Sequence, residues 1–298
     1  MRLGQAGQSD DVSYVGGGGG RGAGVPLAIG GGGLGIVGVV IALLVSLTGG
    51  GGGSGYGGVG DILGRMSGVP VAQGAQVPSA AQDEVVFLKA VVGDVQDYWT
   101  RQFSASGRTY EPSKLLLFDT QWASGCGLAD EATGPFYCPA DKRVYLGVSF
   151  FDQLRTKYGA PGDFAQAYVV AHEYGHHVQD LLGITGQADQ YSQQHAAQAN
   201  AVSVLVELQA DCFAGVWGHD AQQRAELDPG DLQEALTAAA AVGDDTLQRQ
   251  AQGYVNPDTF THGTAEERQS WFLQGFRAGD PAQCDTFGKG ADGAASSA

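Results

Sequence analysis

The sequence predicts an α+β fold, mostly helical with a small sheet, preceded by a single transmembrane helix. Three observations predict it. Apolar residues recur at helical spacing through several long stretches after residue 84. Only two short runs, LLLFD at 115–119 and RVYLGVSF at 143–150, read as strands. The 22 residues from Leu27 to Thr48 carry no charge, which is enough chain to cross a bilayer.

The N-terminal quarter differs in composition from the rest. It holds 26 of the 49 glycines within residues 1–70. Residues 1–26 read as a disordered tail. Residues 27–48 read as the membrane helix, with Leu34 to Leu47 nearly all apolar, because glycine is tolerated in such helices. A cleaved signal peptide and a disordered glycine linker with an apolar stretch are the rival readings. The run starts late, however, and ends in Thr-Gly-Gly-Gly without a small-residue cleavage site. Arg2 and Arg21 precede the span, and Arg65 is the nearest basic residue after it. This charge difference is small and favours the N-terminus inside and the C-terminal domain outside the cytoplasm. Residues 49–82 read as a glycine-rich linker.

The folded domain is expected over 83–288. Residues 84–103 carry Val86, Leu88, Val92, Val95 and Trp99 at roughly helical spacing. The strand at 143–150 sets Val144, Leu146 and Val148 on one side. A helix is expected from Phe164 to Leu182, capped by Asp163 with Gln166 closing a capping box. Further helices are expected over 195–217 and 231–241, and the tail 289–298 reads as disordered.

The formal net charge is −16, and residues 1–60 contribute none of it, since Arg2 and Arg21 balance Asp10 and Asp11. So acidic a domain repels phosphate backbones, which argues against nucleic acid as a partner. Cys126, Cys138, Cys212 and Cys284 contain no C-x-x-C pair, so a cysteine zinc knuckle is not expected. Four cysteines allow three disulfide connectivities. The proximity of Cys126 to Cys138 pairs those two and leaves Cys212 with Cys284. In a reducing compartment all four would be free thiols.

The chemistry centres on His172-Glu173-Tyr174-Gly175-His176. On a helix, His172 and His176 at i and i+4 share one face and both can reach one Zn²⁺. Glu173, one step round the helix, is placed to meet a water on the metal. Catalytic zinc takes three protein ligands and keeps an open position. Glu207 is the candidate third ligand, on the next long helix. Asp211, at i+4 from it, is suited to accept the outer N–H of a histidine ligand and fix its tautomer. His262, in a turn-like stretch before a further helical segment, is a candidate donor to an oxyanion.

These residues resemble those of the YpfJ-type neutral zinc metallopeptidases, a bacterial family. The likeness rests on QSDDV before the glycines, GPFYCPADKRVYLGVSFF, AHEYGHHVQDLLG, ANAVSVLVELQADCFAGVW, AVGDDTLQ and FTHGTAEERQSWFLQGF. One departure is the lack of a basic residue near Leu205. The HExxH…ExxxD pattern is also similar to the gluzincin arrangement of HtpX-like and CAAX-prenyl-type membrane proteases. The resemblance implies a zincin-like domain with one zinc per chain held by His172, His176 and Glu207. It implies Glu173 as general base, His262 stabilising the transition state, and Asp211 and Arg268 supporting from outside the ligand set. It implies that the strand near Val144–Val148 is a sheet edge along which an extended peptide or protein substrate is laid. Together these readings describe a metallopeptidase of the bacterial cell membrane with an extracytoplasmic catalytic domain. The rival is a membrane-tethered zinc-binding domain with no catalytic activity.

Overall fold

The computed structural model describes residues 1–3, 7–16 and 77–288. The expected membrane helix at 27–48, most of the linker and the tail 289–298 lie outside the described residues.

Six strands and eight α-helices follow in chain order among the described residues. They are β1 (Val12–Tyr14), α1 (Gln82–Ala105), β2 (Lys114–Phe118), β3 (Gln121–Ser124), β4 (Gly127–Asp130), β5 (Phe136–Cys138) and β6 (Arg143–Gly147). Then come α2 (Phe150–Thr156), α3 (Asp163–Leu181), α4 (Ile184–Gln194), α5 (Ala199–Gln223), α6 (Asp231–Ala241), α7 (Asp244–Gln252) and α8 (Ala265–Ala278). The class is the α+β one expected, with helices dominant.

The main sheet has the order β1-β2-β6-β5. β1 and β6 both run parallel to β2, and β5 is antiparallel to β6. Strand alternation divides its side chains between two faces. Val12, Leu115, Leu117, Tyr137, Val144 and Leu146 enter the large core built with the helices. Val15, Leu116, Phe118, Phe136, Cys138 and Tyr145 face the other way with Ala129 of the β3–β4 hairpin. The Cys126–Cys138 disulfide ties that hairpin to β5, and Cys212–Cys284 ties α5 to the segment after α8. Both pairings are those expected.

Three expectations change. Part of the segment 1–26 is ordered, because residues 12–14 form an edge strand of the sheet. β6 is not an edge: it lies between β2 and β5, with Val144, Tyr145, Leu146 and Gly147 all buried. No capping box forms at α3, whose N-cap is Gly162. The Phe164 N–H donates instead to the Glu234 carboxylate of α6, at 3.1 Å. Among the described residues, one helix is long and apolar enough to cross a membrane, the stretch Ala196–Gln223, and it is mostly buried as a core helix.

Helix α3 packs against α1, α5 and α6. Its contact with α5 is close. A side chain at Gly175 would put its Cβ 3.1 Å from the Ala210 carbonyl oxygen. Crossing of α5 and α8 is closer still: a Cβ at Gly215 would meet Phe272, and one at Gly275 would meet Cys212. These approaches bring three helices to one point.

Candidate metal centre

Tyr168, His172 and His176 stand at successive i+4 positions of α3, and so on one face. That face meets Glu207 and Asp211, themselves an i, i+4 pair on α5. All five side chains are buried. The Nε2 atoms of His172 and His176 lie 3.2 Å apart. The Glu207 carboxylate oxygens lie 3.2 Å from the first and 3.4 Å from the second.

The outer ring nitrogens fix what those inner atoms are. His172 Nδ1 lies 2.8 Å from Asp211 Oδ1, a carboxylate that can only accept. His176 Nδ1 lies 2.8 Å from Gln179 Oε1. The orientation of that amide is set by its nitrogen, which donates to the Val206 carbonyl and to Gln209 Oε1. In the neutral rings both protons therefore sit on Nδ1, and both Nε2 atoms present lone pairs. Two imidazole nitrogens and a carboxylate thus converge in a buried pocket, an arrangement that a shared cation, a metal ion or a proton, stabilises. A tetrahedral ion with bonds of about 2.0–2.1 Å sets its ligand atoms roughly 3.3–3.4 Å apart, close to the spacings found. The donor set, two imidazoles and one carboxylate, is one that zinc takes. Among the described residues, His172, His176 and Glu207 form a group able to hold a metal ion.

Without a metal a proton takes the cation's place: burial opposes charge on His172, yet Asp211 and Glu207 outweigh it and pull its pKa up to about 10. Burial likewise opposes the Glu207 carboxylate, but the neighbouring histidines hold it ionised well below the usual range. Burial also opposes Asp211, and Arg268 with His172 bring its pKa down to about 2.

Asp211 is the hub behind the ligands. Besides His172 it accepts from the Tyr168 hydroxyl at 2.6 Å. It also takes a two-pronged contact from Arg268 of α8, Nε at 2.8 Å and a terminal nitrogen at 3.0 Å. Arg268 also donates to the Val242 carbonyl at 3.2 Å.

Glu173 lies beside this group and lines the same cleft. It is 7% exposed, and its Oε2 has no hydrogen-bond partner. The Tyr137 backbone of β5 faces the carboxylate and favours its charged form. Burial raises its pKa above the ordinary value, against the pull of His172 and His176. A buried carboxylate with one idle oxygen in a cleft is suited to exchange protons with a ligand.

A family model described as "Putative neutral zinc metallopeptidase" matches residues 1–287. The chain belongs to this family. It is similar to the "Uncharacterized protein YpfJ" of Escherichia coli strain K12, 53% identical over 234 residues, which are 77% of this chain and 81% of that one. It is also similar to an uncharacterized protein of Mycobacterium tuberculosis strain H37Rv, 49% identical over 189 residues, 60% of this chain and 63% of that one. No solved structure matches.

The family match extends over the whole site, including its far wall. His262 lines the cleft with the α3 residues. Its loop is organised by Asp244 at the start of α7. One oxygen, Oδ2, accepts the backbone N–H groups of Thr261, His262 and Gly263 at 2.7, 2.6 and 3.1 Å. The other, Oδ1, lies 3.2 Å from His262 Nδ1. With Nδ1 so engaged, Nε2 is left to serve the cleft. Burial works against charge on His262, but Glu207 and Asp244 more than offset it and raise its pKa.

Every candidate residue thus reaches the site or its support: His172, Glu173, His176 and Glu207 directly, Asp211 and Arg268 behind them, His262 opposite. Sequence reasoning missed Tyr168 and Asp244. Tyr168 carries a readable signal, lying four residues before His172. Asp244 does not, since its partners are 17 to 19 residues away in a loop. The remaining cleft wall is apolar, with Phe150, Tyr158, Val169, Val242 and Leu247, and the loop 131–135 leads into β5.

Proposed function

We propose that this chain is a zinc-dependent metallopeptidase, with one zinc per chain on His172, His176 and Glu207 and with Glu173 as general base. The observation that carries the reading is the convergence of two imidazole nitrogens and a carboxylate oxygen beside a buried carboxylate with an idle oxygen. When bound, zinc lowers the pKa of a coordinated water from 15.7 toward about 7 and polarises the scissile carbonyl.

The chain's residues supply the rest. Glu173 Oε2 takes a proton from the attacking water and passes it to the leaving amine. His262, held through Nδ1 by Asp244, donates from Nε2 to the oxygen that gains charge. Asp211 keeps the His172 proton on Nδ1, and Arg268 with Tyr168 keeps Asp211 ionised. The substrate lies along β5 and the loop before it. Among the described residues β5 pairs with β6 alone and its Tyr137 backbone faces Glu173, whereas β6 is paired on both edges.

The rival reading, a silent zinc-binding domain, would call for a closed site with four protein ligands. Among the described residues three donors converge. Attachment to the bacterial cell membrane through residues 27–48 also belongs to this proposal. Their uncharged composition supports it, and the two disulfides support an extracytoplasmic catalytic domain.

The test is hydrolysis of a mixed peptide library by the full chain and by Glu173→Gln. The full chain is needed because β1 belongs to the domain. The proposal expects cleavage by the first and a loss of about 10²–10⁴-fold in the second, with zinc retained by both. Equal cleavage by both proteins would remove Glu173 from its role. Zinc bound with no cleavage by either would favour the silent domain.

A further inference from the structure

The N-terminal segment is fitted into the same domain as the metal centre. β1 pairs with β2 in parallel, with Val12, Ser13 and Tyr14 opposite Leu115, Leu116 and Leu117. The ladder continues at both ends, from Leu115 N–H to the Asp11 carbonyl at 2.8 Å and from Val15 N–H to the Leu117 carbonyl at 2.9 Å. Side chains repeat the fit. Gln96 of α1 donates to Asp11 at 3.0 Å, and the Tyr14 hydroxyl donates to the Asp119 carboxylate at 2.7 Å. Val12 and Val15 are 6% and 4% exposed. On α1, a side chain at Gly93 would put its Cβ 2.5 Å from the Gly7 carbonyl oxygen, so the helix is shaped to let residue 7 lie against it.

This placement bears on the membrane. β1 precedes the apolar stretch 27–48, and α1 and β2 follow it. One crossing by that stretch would put β1 on one side of the bilayer and its partners on the other. Strand pairing and a single crossing therefore exclude each other within one chain.

We infer that residues 7–16 and the helical domain stay on the same side of the membrane, and that the chain is not a single-pass protein with its N-terminus opposite the metal centre. The positive-inside signal expected to orient a single span amounts to only two arginines, Arg2 and Arg21. The paired strand, its buried valines and its side-chain contacts weigh against it. The nearly all-apolar centre of the stretch 27–48, Leu34 to Leu47, is 14 residues, short of the roughly 20 that a membrane-spanning helix needs. The inference stands independently of the peptidase reading.

The test uses the full chain in bacterial cells. One epitope is inserted at Gly18 and another after Ala298, and both are probed with a membrane-impermeant label before and after permeabilisation. The same chain carries Ser13→Cys and Leu116→Cys, which are register partners, and a protease site at Gly52. Isolated membranes are oxidised, cut and run under denaturing conditions. Both native disulfides lie after Gly52, so they cannot hold the two pieces together. The expected result is equal accessibility of the two epitopes, with most of the cut chain joined until reductant is added. Opposite accessibility would overturn the inference. Equal accessibility with separated pieces, or joining between two chains instead of within one, would also overturn it by removing the paired strand on which it rests.

Discussion

Glu173 and His262 face the same cleft but are prepared differently. Glu173 owes its raised pKa mainly to burial, which suits a base that must also release its proton. His262 owes its raised pKa to neighbouring carboxylates, and Asp244 is the one that also fixes its ring. Replacing Asp244 with Asn should therefore act through His262. The His262 pKa should fall, and the alkaline limb of the kcat profile should move to lower pH. That sign follows because the protonated ring is lost as pH rises through its folded pKa. Rate should drop by about 10-fold or more, as expected for a weakened oxyanion donor, while bound zinc stays unchanged. A merely structural role would lower rate or stability without moving the limb. Arg268 gives a second test at this scale. Its pairing with Asp211 is fully buried, so Arg268→Met takes the fixed cation from a buried carboxylate that keeps only Tyr168 and His172 as donors, and should cost about 3–5 kcal/mol in urea unfolding. Zinc affinity should fall by roughly 10–100-fold, because Asp211 then holds His172 less firmly. The pH dependence of stability has a definite sign here. Asp211 is held near 2, so its contribution is complete above the unfolded carboxylate range and disappears between about pH 4 and pH 2.

At the scale of elements, the centre depends on how closely helices approach. Gly175, inside the HEYGH segment, lets α3 sit against Ala210 of α5. Gly175→Ala should push the helices apart by a few tenths of an ångström. Its expected signature is weaker zinc binding at nearly unchanged helix content, read by competition with a chelator and by circular dichroism. The Cys212–Cys284 bridge, adjacent to Asp211, closes a loop with sequence separation 72. By the chain-entropy argument it restrains the unfolded state by about 4 kcal/mol, so Cys212→Ala/Cys284→Ala should lower Tm markedly more than Cys126→Ala/Cys138→Ala.

The elements legible in the sequence were those with a strong period. Helices α1, α3 and α6 fall within two residues of expectation, and the HExxH and ExxxD spacings bring His172, His176 and Glu207 together between α3 and α5. Short polar helices such as α7, DDTLQRQAQ, show no apolar stripe to read. β1 was invisible because three residues beside a glycine run carry no strand pattern; only β2 and α1 make it a strand. For the same reason β6 was taken for an edge, since a sequence does not reveal which neighbours a strand acquires.

At the scale of the molecule, α3 is the shared wall of two constructions. One side completes the core with α1 and the sheet, and the other carries the ligands toward α5 and α8. The N-terminal strand closes the far edge of that sheet. Deleting residues 1–16 would expose the β2 edge and the apolar groups under Val12 and Val15. That deletion should lower Tm and increase aggregation, measured by thermal scattering of the purified chain. On the function proposed above, one zinc on His172, His176 and Glu207, served by Glu173, makes this chain a peptidase. The most direct measurement is a zinc titration of the metal-stripped full chain, following hydrolysis of a quenched peptide mixture. The account predicts activity that rises from near zero and saturates at one zinc per chain, while Glu173→Gln binds the same single zinc and stays flat. Hydrolysis independent of zinc, or a Glu173→Gln protein as active as the original, would contradict it.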